Sequence, residues 1–148
     1  MYLDSAIIVK LLVREPESEW FERNLPGHSF ETSELALSEV CAALLSKERT
    51  NKLSPQERVK ATDRFFSMIE DESISLLPLN RQVVDRARSV QVACHPKIAL
   101  RTLDALHVAT CDLHNGGSLS ATDSRIRAAC EQLGIALIPK RIEDLTAK

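Results

Sequence analysis

Positive charge is scarce for a protein that would coat itself in nucleic acid. Nineteen Lys and Arg against 21 Asp and Glu leave a net charge of −2 and a pI near 6.1, whereas a domain pI above about 9 is the usual footprint of general nucleic-acid binding. Any such contact must therefore be local. Glycine (4) and proline (6) are few, which argues against low complexity and extended disorder. The four cysteines, Cys41, Cys94, Cys111 and Cys130, are widely spaced and form no CxxC, so they read as reduced core residues of a cytoplasmic protein. No apolar run reaches membrane-spanning length. Ala6 to Leu12 is apolar, but Asp4 and Lys10 interrupt the opening segment and no basic stretch precedes it, so the expectation is a chain neither exported nor embedded in a membrane. No GxGxxG or Walker A pattern follows a candidate strand, which leaves little room for a nucleotide cofactor.

What is present is alternation. At 148 residues the chain is sized for one domain, 1–148, able to bury about 68–70% of its unfolded surface without staples. Met1-Tyr2-Leu3 predicts a short strand, after which Ile7, Ile8, Leu11 and Leu12 recur with helical spacing until Glu15-Pro16. Glu17 to Leu25 predicts a second helix, and Ser29 to Thr32 a second strand. Ser33-Glu34 opens an alanine-rich helix to about Arg49, and Ser54-Pro55 opens a fourth helix. Ile74 to Leu79 follows as a buried strand of the sheet core, and Asn80 caps the next helix. Arg101 to Asn115 is apolar nearly all round and so predicts a buried helix, closed by Asn115-Gly116-Gly117. Ser118 to Thr122 predicts a strand, Ser124 to Leu133 a helix, Ile135 to Ile138 a last strand and Ile142 to Leu145 a half-turn. About five short strands interleaved with helices predict an α/β fold, a three-layer α/β/α sandwich around a short parallel sheet.

Four carboxylates sit where packing alone does not ask for them. Asp4 and Asp123 each follow a strand and precede a helix; either could serve as an N-cap, and the strand-end rim is also where open α/β sheets build sites. Asp104 falls on the apolar side of its helix with Leu100, Val108 and Cys111. First-turn dipole complementarity favours an acid there by only about 0.3–1 kcal/mol, and a surface acid would serve as well. Glu39 has Leu35, Ala36, Ala42 and Ala43 as helical neighbours; a carboxylate there shifts its pKa or finds a partner, such as a lysine or arginine from elsewhere in the fold. Brought to one rim, four bare acids would repel and raise each other's pKa. A divalent cation resolves the conflict, and an all-oxygen set favours Mg²⁺ or Mn²⁺ over zinc, with activation of water for phosphodiester displacement as the matching chemistry.

YLDSAIIVKL, the SEV of the alanine-rich helix, LDALHVAT and ATDSRI resemble the four acidic motifs of PIN-domain ribonucleases, most nearly the VapC-type toxins of toxin–antitoxin pairs. The resemblance covers essentially the whole chain. It implies a PIN-like fold and metal-binding, catalytic acids at Asp4, Glu39, Asp104 and Asp123, with Asp4 and Asp104 the most direct ligands. Ser5 and Thr122 match the hydroxyl residues that support those acids, and Ala6 stands where a serine is common. It further implies Mg²⁺-dependent cleavage of RNA, a homodimer held by helices near the acidic rim, and a small VapB-type antitoxin whose C-terminal segment covers the site. Lys10, Arg14 and the basic residues between Lys47 and Arg64 are the candidates for local phosphate contact.

Other readings fare less well. Cys94-His95 with His107 and Cys111 superficially suggests a zinc site, but adjacent Cys94 and His95 are poor ligand geometry and Pro96 separates them from the next helix; His107 reads instead as a satisfied core histidine. A phosphoaspartate phosphatase would want an aspartate two residues after Asp4, where Ala6 stands. The alternative from another class is a catalytically inactive PIN-like binding partner in an antitoxin complex that represses its own operon. The presence of all four acids argues against it.

Overall fold

The computed structural model describes residues 1–25, 27, 29–114 and 117–146. In chain order these form β1 (Tyr2–Leu3), α1 (Ser5–Leu12), α2 (Ser18–Asn24), β2 (Phe30–Ser33), α3 (Leu35–Arg49), α4 (Pro55–Glu70), β3 (Ile74–Leu77), α5 (Arg81–Cys94), α6 (Thr102–Leu113), β4 (Ser118–Ser120), α7 (Ser124–Leu133), β5 (Ala136–Ile138) and a terminal 3-10 turn, Ile142–Leu145. The predicted close of α6 at Asn115-Gly116 lies outside the described residues.

The helix starts are set locally. Ser54 and Glu57 form a reciprocal capping box ahead of Pro55 at the start of α4, satisfying amides that the first turn leaves without partners. The Asn80 side chain accepts from the Val83 amide at 3.1 Å to open α5. Gly134 ends α7 at φ 73°, in the left-handed region that a side chain would resist.

The five strands are all parallel, in the order β3-β2-β1-β4-β5. Alternation along β1 divides the interior in two. Tyr2 points into a core shared with α5, α6 and α7, among Val83, Val90, Ala105, Val108 and Ile126. Leu3 points into the opposite core, shared with α1 to α4, among Ile7, Phe21, Val40, Leu44 and Phe65. This is the expected three-layer α/β/α sandwich. One strand departs from expectation: β3 is an edge strand with Ser75 exposed. A short apolar run reads the same at the edge as at the centre, because strand order depends on contacts the run does not contain. β1 is central, with β2 on one side and β4 on the other. The chain therefore reverses its direction of travel across the sheet at the β1–β4 pair, where open α/β sheets leave a crevice at the strands' carboxyl ends.

Candidate active site

Asp4 and Asp123 are placed at that crevice by the strands they follow. The Asp4 amide donates to the Ser120 carbonyl at 3.1 Å, stitching the end of β1 to the end of β4. Both aspartates are N-caps, as their positions allowed. Asp4 Oδ1 accepts from the Ala6 amide at 3.3 Å, and Asp123 Oδ1 accepts from the amides of Arg125 at 2.8 Å and Ile126 at 3.2 Å. Capping uses one oxygen of each carboxylate and leaves the other directed elsewhere.

Glu39 from α3 and Asp104 from α6 complete a cleft of about 270 Å³ whose lining includes all four acids, Ser5 and His107. The four predicted carboxylates thus share one depression although they come from four separate segments. They are not gathered as a ready metal cage: among the described residues no three carboxylate, imidazole or thiol groups are so arranged. Three of the four acids are instead engaged by other side chains. Glu39 Oε2 accepts from the Ser5 hydroxyl at 2.6 Å and lies 2.5 Å from His107 Nε2. Arg101 reaches over the rim, its Nε 3.2 Å from Asp104 Oδ2 and its Nη2 3.4 Å from Asp123 Oδ2.

The electrostatics follow from these contacts. Burial raises the pKa of Asp4, with the charges of Glu39 and Asp104 adding to the rise and that of His107 opposing it. Burial likewise raises Asp104, aided by the charge of Asp123 and opposed by Arg101. Glu39 departs from the expectation of mutual elevation. Burial pushes it up, but the hydrogen bond and charge of His107 and the Ser5 hydroxyl together hold it below the usual carboxylate range. His107 is raised in turn: burial alone would lower it, and Glu39, Asp4 and Asp104 outweigh burial. The partner expected for Glu39 was a lysine or arginine; the fold supplies a histidine and a serine instead.

Asp104 Oδ2 decides the fit to a cation. It is buried and makes no hydrogen bond among the described residues; Arg101 Nε approaches within ion-pair distance but not in hydrogen-bonding geometry. Such an oxygen is costly to bury; here the charge of Asp123 opposes it and only the Arg101 guanidinium at the rim offsets it. This all-oxygen donor set fits a hard divalent cation.

Two residues of the site were not assigned to it from sequence. His107 is satisfied and buried, as expected, but it is also part of the cleft, with Nδ1 2.7 Å from the Tyr2 hydroxyl. The signal was available: His107 lies at i+3 from Asp104, so the helix count that turns the acid inward turns the imidazole the same way. Arg101 had only its place just before the helix. Ser5 lines the cleft and donates to Glu39 Oε2. Thr122 lines the neighbouring depression instead and makes no hydrogen bond to any of the four acids among the described residues.

The PIN domain family model matches residues 1–139. The chain belongs to the PIN-domain family. It is also 38% identical over 144 residues to Ribonuclease VapC46 of Mycobacterium tuberculosis, covering 93% of this PIN chain and 95% of that protein. Among solved structures, FitAcB from Neisseria gonorrhoeae superposes with a TM-score of 0.65 at 14% identity, over 92% of this chain and 94% of that one. A toxin–antitoxin complex from Klebsiella pneumoniae gives 0.61 at 13% identity, over 88% and 92%. FitAB bound to an IR36 DNA fragment gives 0.67 at 16%, over 92% of each chain. At such identities the structures establish the fold, and the acidic motifs with the mycobacterial relative tie the chain to the VapC type.

Proposed function

We propose that this PIN protein is a metal-dependent endoribonuclease, using Mg²⁺ or Mn²⁺, that hydrolyses RNA phosphodiester bonds as the toxin of a toxin–antitoxin pair. The observation that carries the reading is the convergence of Asp4, Glu39, Asp104 and Asp123 on one cleft, with Asp104 Oδ2 buried and met only by the Arg101 ion pair at the rim. Asp4 and Asp104 would hold the ion most directly, with Glu39 and Asp123 completing the donor set. When bound, such a cation supplies an activated water and neutralises charge developing on the phosphate. The chain's own residues prepare that environment. Ser5 and His107 orient Glu39, and through His107 the Tyr2 hydroxyl ties the cleft to the core. The rim position of Arg101 balances the negative charge of Asp104 and Asp123. Support for the activity comes from the mycobacterial relative, a ribonuclease, and support for an antitoxin partner, here of the VapB type, from the structural likeness to a toxin–antitoxin complex.

The reading extends to a single PIN unit that forms a homodimer in the cytoplasm. Leu37 and Leu45, 37% and 40% exposed, lie with exposed Cys41 at i, i+4 and i+8 on α3. This apolar stripe is on the helix that carries Glu39, where a second copy could cover it.

The test is cleavage of ribosomal and small RNA by purified protein with Mg²⁺ or Mn²⁺, with EDTA, and with Asp4→Asn and Asp104→Asn. Discrete fragments should vanish in EDTA and fall by about a hundredfold or more in each variant, since even outer-shell changes at metal sites cost 10–100-fold. A protein that neither cuts RNA nor binds Mn²⁺ would return the chain to the inactive binding-partner reading.

A further inference from the structure

The basic residues named as phosphate candidates divide into two groups in the fold. Lys10 pairs with Glu17 at 2.8 Å and Glu15 at 3.5 Å, Lys47 pairs with Glu15, and Arg58 pairs with Glu48 at 2.6 Å. Arg14, Arg49, Lys52, Lys60 and Arg64 form no ion pair among the described residues. Arg14, Lys60 and Arg64 rim one groove of about 310 Å³ between the end of α1 and α4. The acid in its lining, Glu57, is already engaged, accepting the Ser54 amide and hydroxyl at 2.8 Å each. The floor is apolar, including Leu12, Leu53 and Ala61.

A depression that adjoins the acidic cleft reaches the chain neighbours of two residues lining this groove. Ala6, Val9 and Ala43 line both the acidic cleft and the depression beside it. That depression is also lined by Glu15 and Lys52, the chain neighbours of Arg14 and Leu53 in the groove. The route follows α1, whose eight residues span about 12 Å at 1.5 Å each. One end carries acids suited to cutting a phosphodiester, and the other carries cations without partners over a floor that can receive bases or riboses.

Resting on the ribonuclease reading above, we infer that a single strand of RNA leaves the acidic cleft along α1 and is held in the α1–α4 groove by Arg14, Lys60 and Arg64, with Lys52 on the way. The groove therefore sets substrate affinity from one side of the cut. It also explains how an acidic protein can act on RNA: its binding charge is concentrated in one place. These are positioning residues, acting on the strand and not on the reacting atoms.

The experiment compares wild type with Arg14→Gln/Lys60→Gln/Arg64→Gln and with a charge-matched control on the opposite layer, Arg81→Gln/Arg88→Gln/Lys97→Gln. Binding of fluorescein-labelled oligouridylate is followed by anisotropy in EDTA across a salt series, and cleavage of ribosomal RNA is followed with Mn²⁺. The groove variant should bind at least about tenfold more weakly. Its log–log salt slope should shrink by about 2, at about 0.7 for each phosphate of a single strand that is no longer neutralised, and KM should rise with kcat within about twofold. The control should match wild type. Equal losses in both variants, or no loss in the groove variant, overturn the track. A groove variant that keeps RNA binding but escapes neutralisation by its antitoxin assigns the groove to a protein and overturns it as well. Failure of the ribonuclease reading is separate, showing as wild type that does not cut RNA with Mn²⁺.

Discussion

His107 joins the cleft to the core through opposite edges of one ring, Nδ1 on Tyr2 and Nε2 on Glu39. Removing it strands both partners and opens a cavity, so His107→Ala should lower stability by about 2–4 kcal/mol, read as the shift in urea midpoint at constant m. Tyr2→Phe removes one hydroxyl that also accepts from the Ser33 amide at 3.2 Å and should cost about 1–2 kcal/mol. Arg101 acts oppositely, since its charge sits against the oxygens a cation would need. Arg101→Gln should therefore tighten Mn²⁺ binding, by up to about fivefold for an exposed ion pair, measured by isothermal titration; weaker binding would refute the competition. The buried thiols of Cys111 and Cys130 are pushed up to about 12 by desolvation first. A folded-state pKa above the unfolded value gives stability that is intact below the unfolded pKa and is lost as pH rises toward the folded one. Between about pH 9 and 12 each thiol should steepen the loss by about 1.4 kcal/mol per pH unit, and Cys111→Ala/Cys130→Ala should flatten that slope.

Among the elements, α4 is closed at both ends by local devices. Ser54→Ala should cost about 1 kcal/mol by removing the capping box. Just past its other end, Glu72 is exposed at φ 60°, a left-handed conformation that penalises a side chain. Glu72→Gly should raise the unfolding free energy by about 0.5–1 kcal/mol, the relief exceeding the extra freedom gained by the unfolded chain. Loss of stability would show that the Glu72 side chain contributes more than its backbone costs. α7 is anchored differently: the buried Arg127 guanidinium donates to the carbonyls of Ala121, Pro139 and Lys140 at 3.0 Å each, tying the Asp123 loop to the segment after β5.

At the scale of the molecule, the α3 stripe makes assembly testable apart from chemistry. For the proposed homodimer, Leu37→Glu/Leu45→Glu should halve the mass seen by light scattering, because two charges per copy cannot be covered at an apolar interface without large cost. Both side chains are partly exposed on the outer face, so thermal stability should stay nearly unchanged. An unaltered mass would place any dimer contact elsewhere.

Much of the fold was legible from sequence because its signals are local. Helical periodicity in Ser5–Leu12, capping residues at Ser54, Asn80 and Asp123, and the strand-then-acid order at Asp4 and Asp123 each depend on residues within a turn or two. Inward placement of Asp104 followed from helix geometry in the same way, and the motif resemblance singled out the four acids that line the cleft. What tertiary structure alone decided depends on residues far apart in the chain. The order β3-β2-β1-β4-β5 sends β3 to the edge and sets β1 beside β4, bringing Asp4 and Asp123 to one crevice. Packing of α3 near α6 gave Glu39 a histidine partner 68 residues away. The pairing of Lys10 and Lys47 with glutamates, leaving Arg14, Lys60 and Arg64 for the groove, follows from how helices cross. Charge and apolar pattern specify which groups are present, whereas pairing depends on which surfaces meet, and that is settled only when both cores close around the sheet.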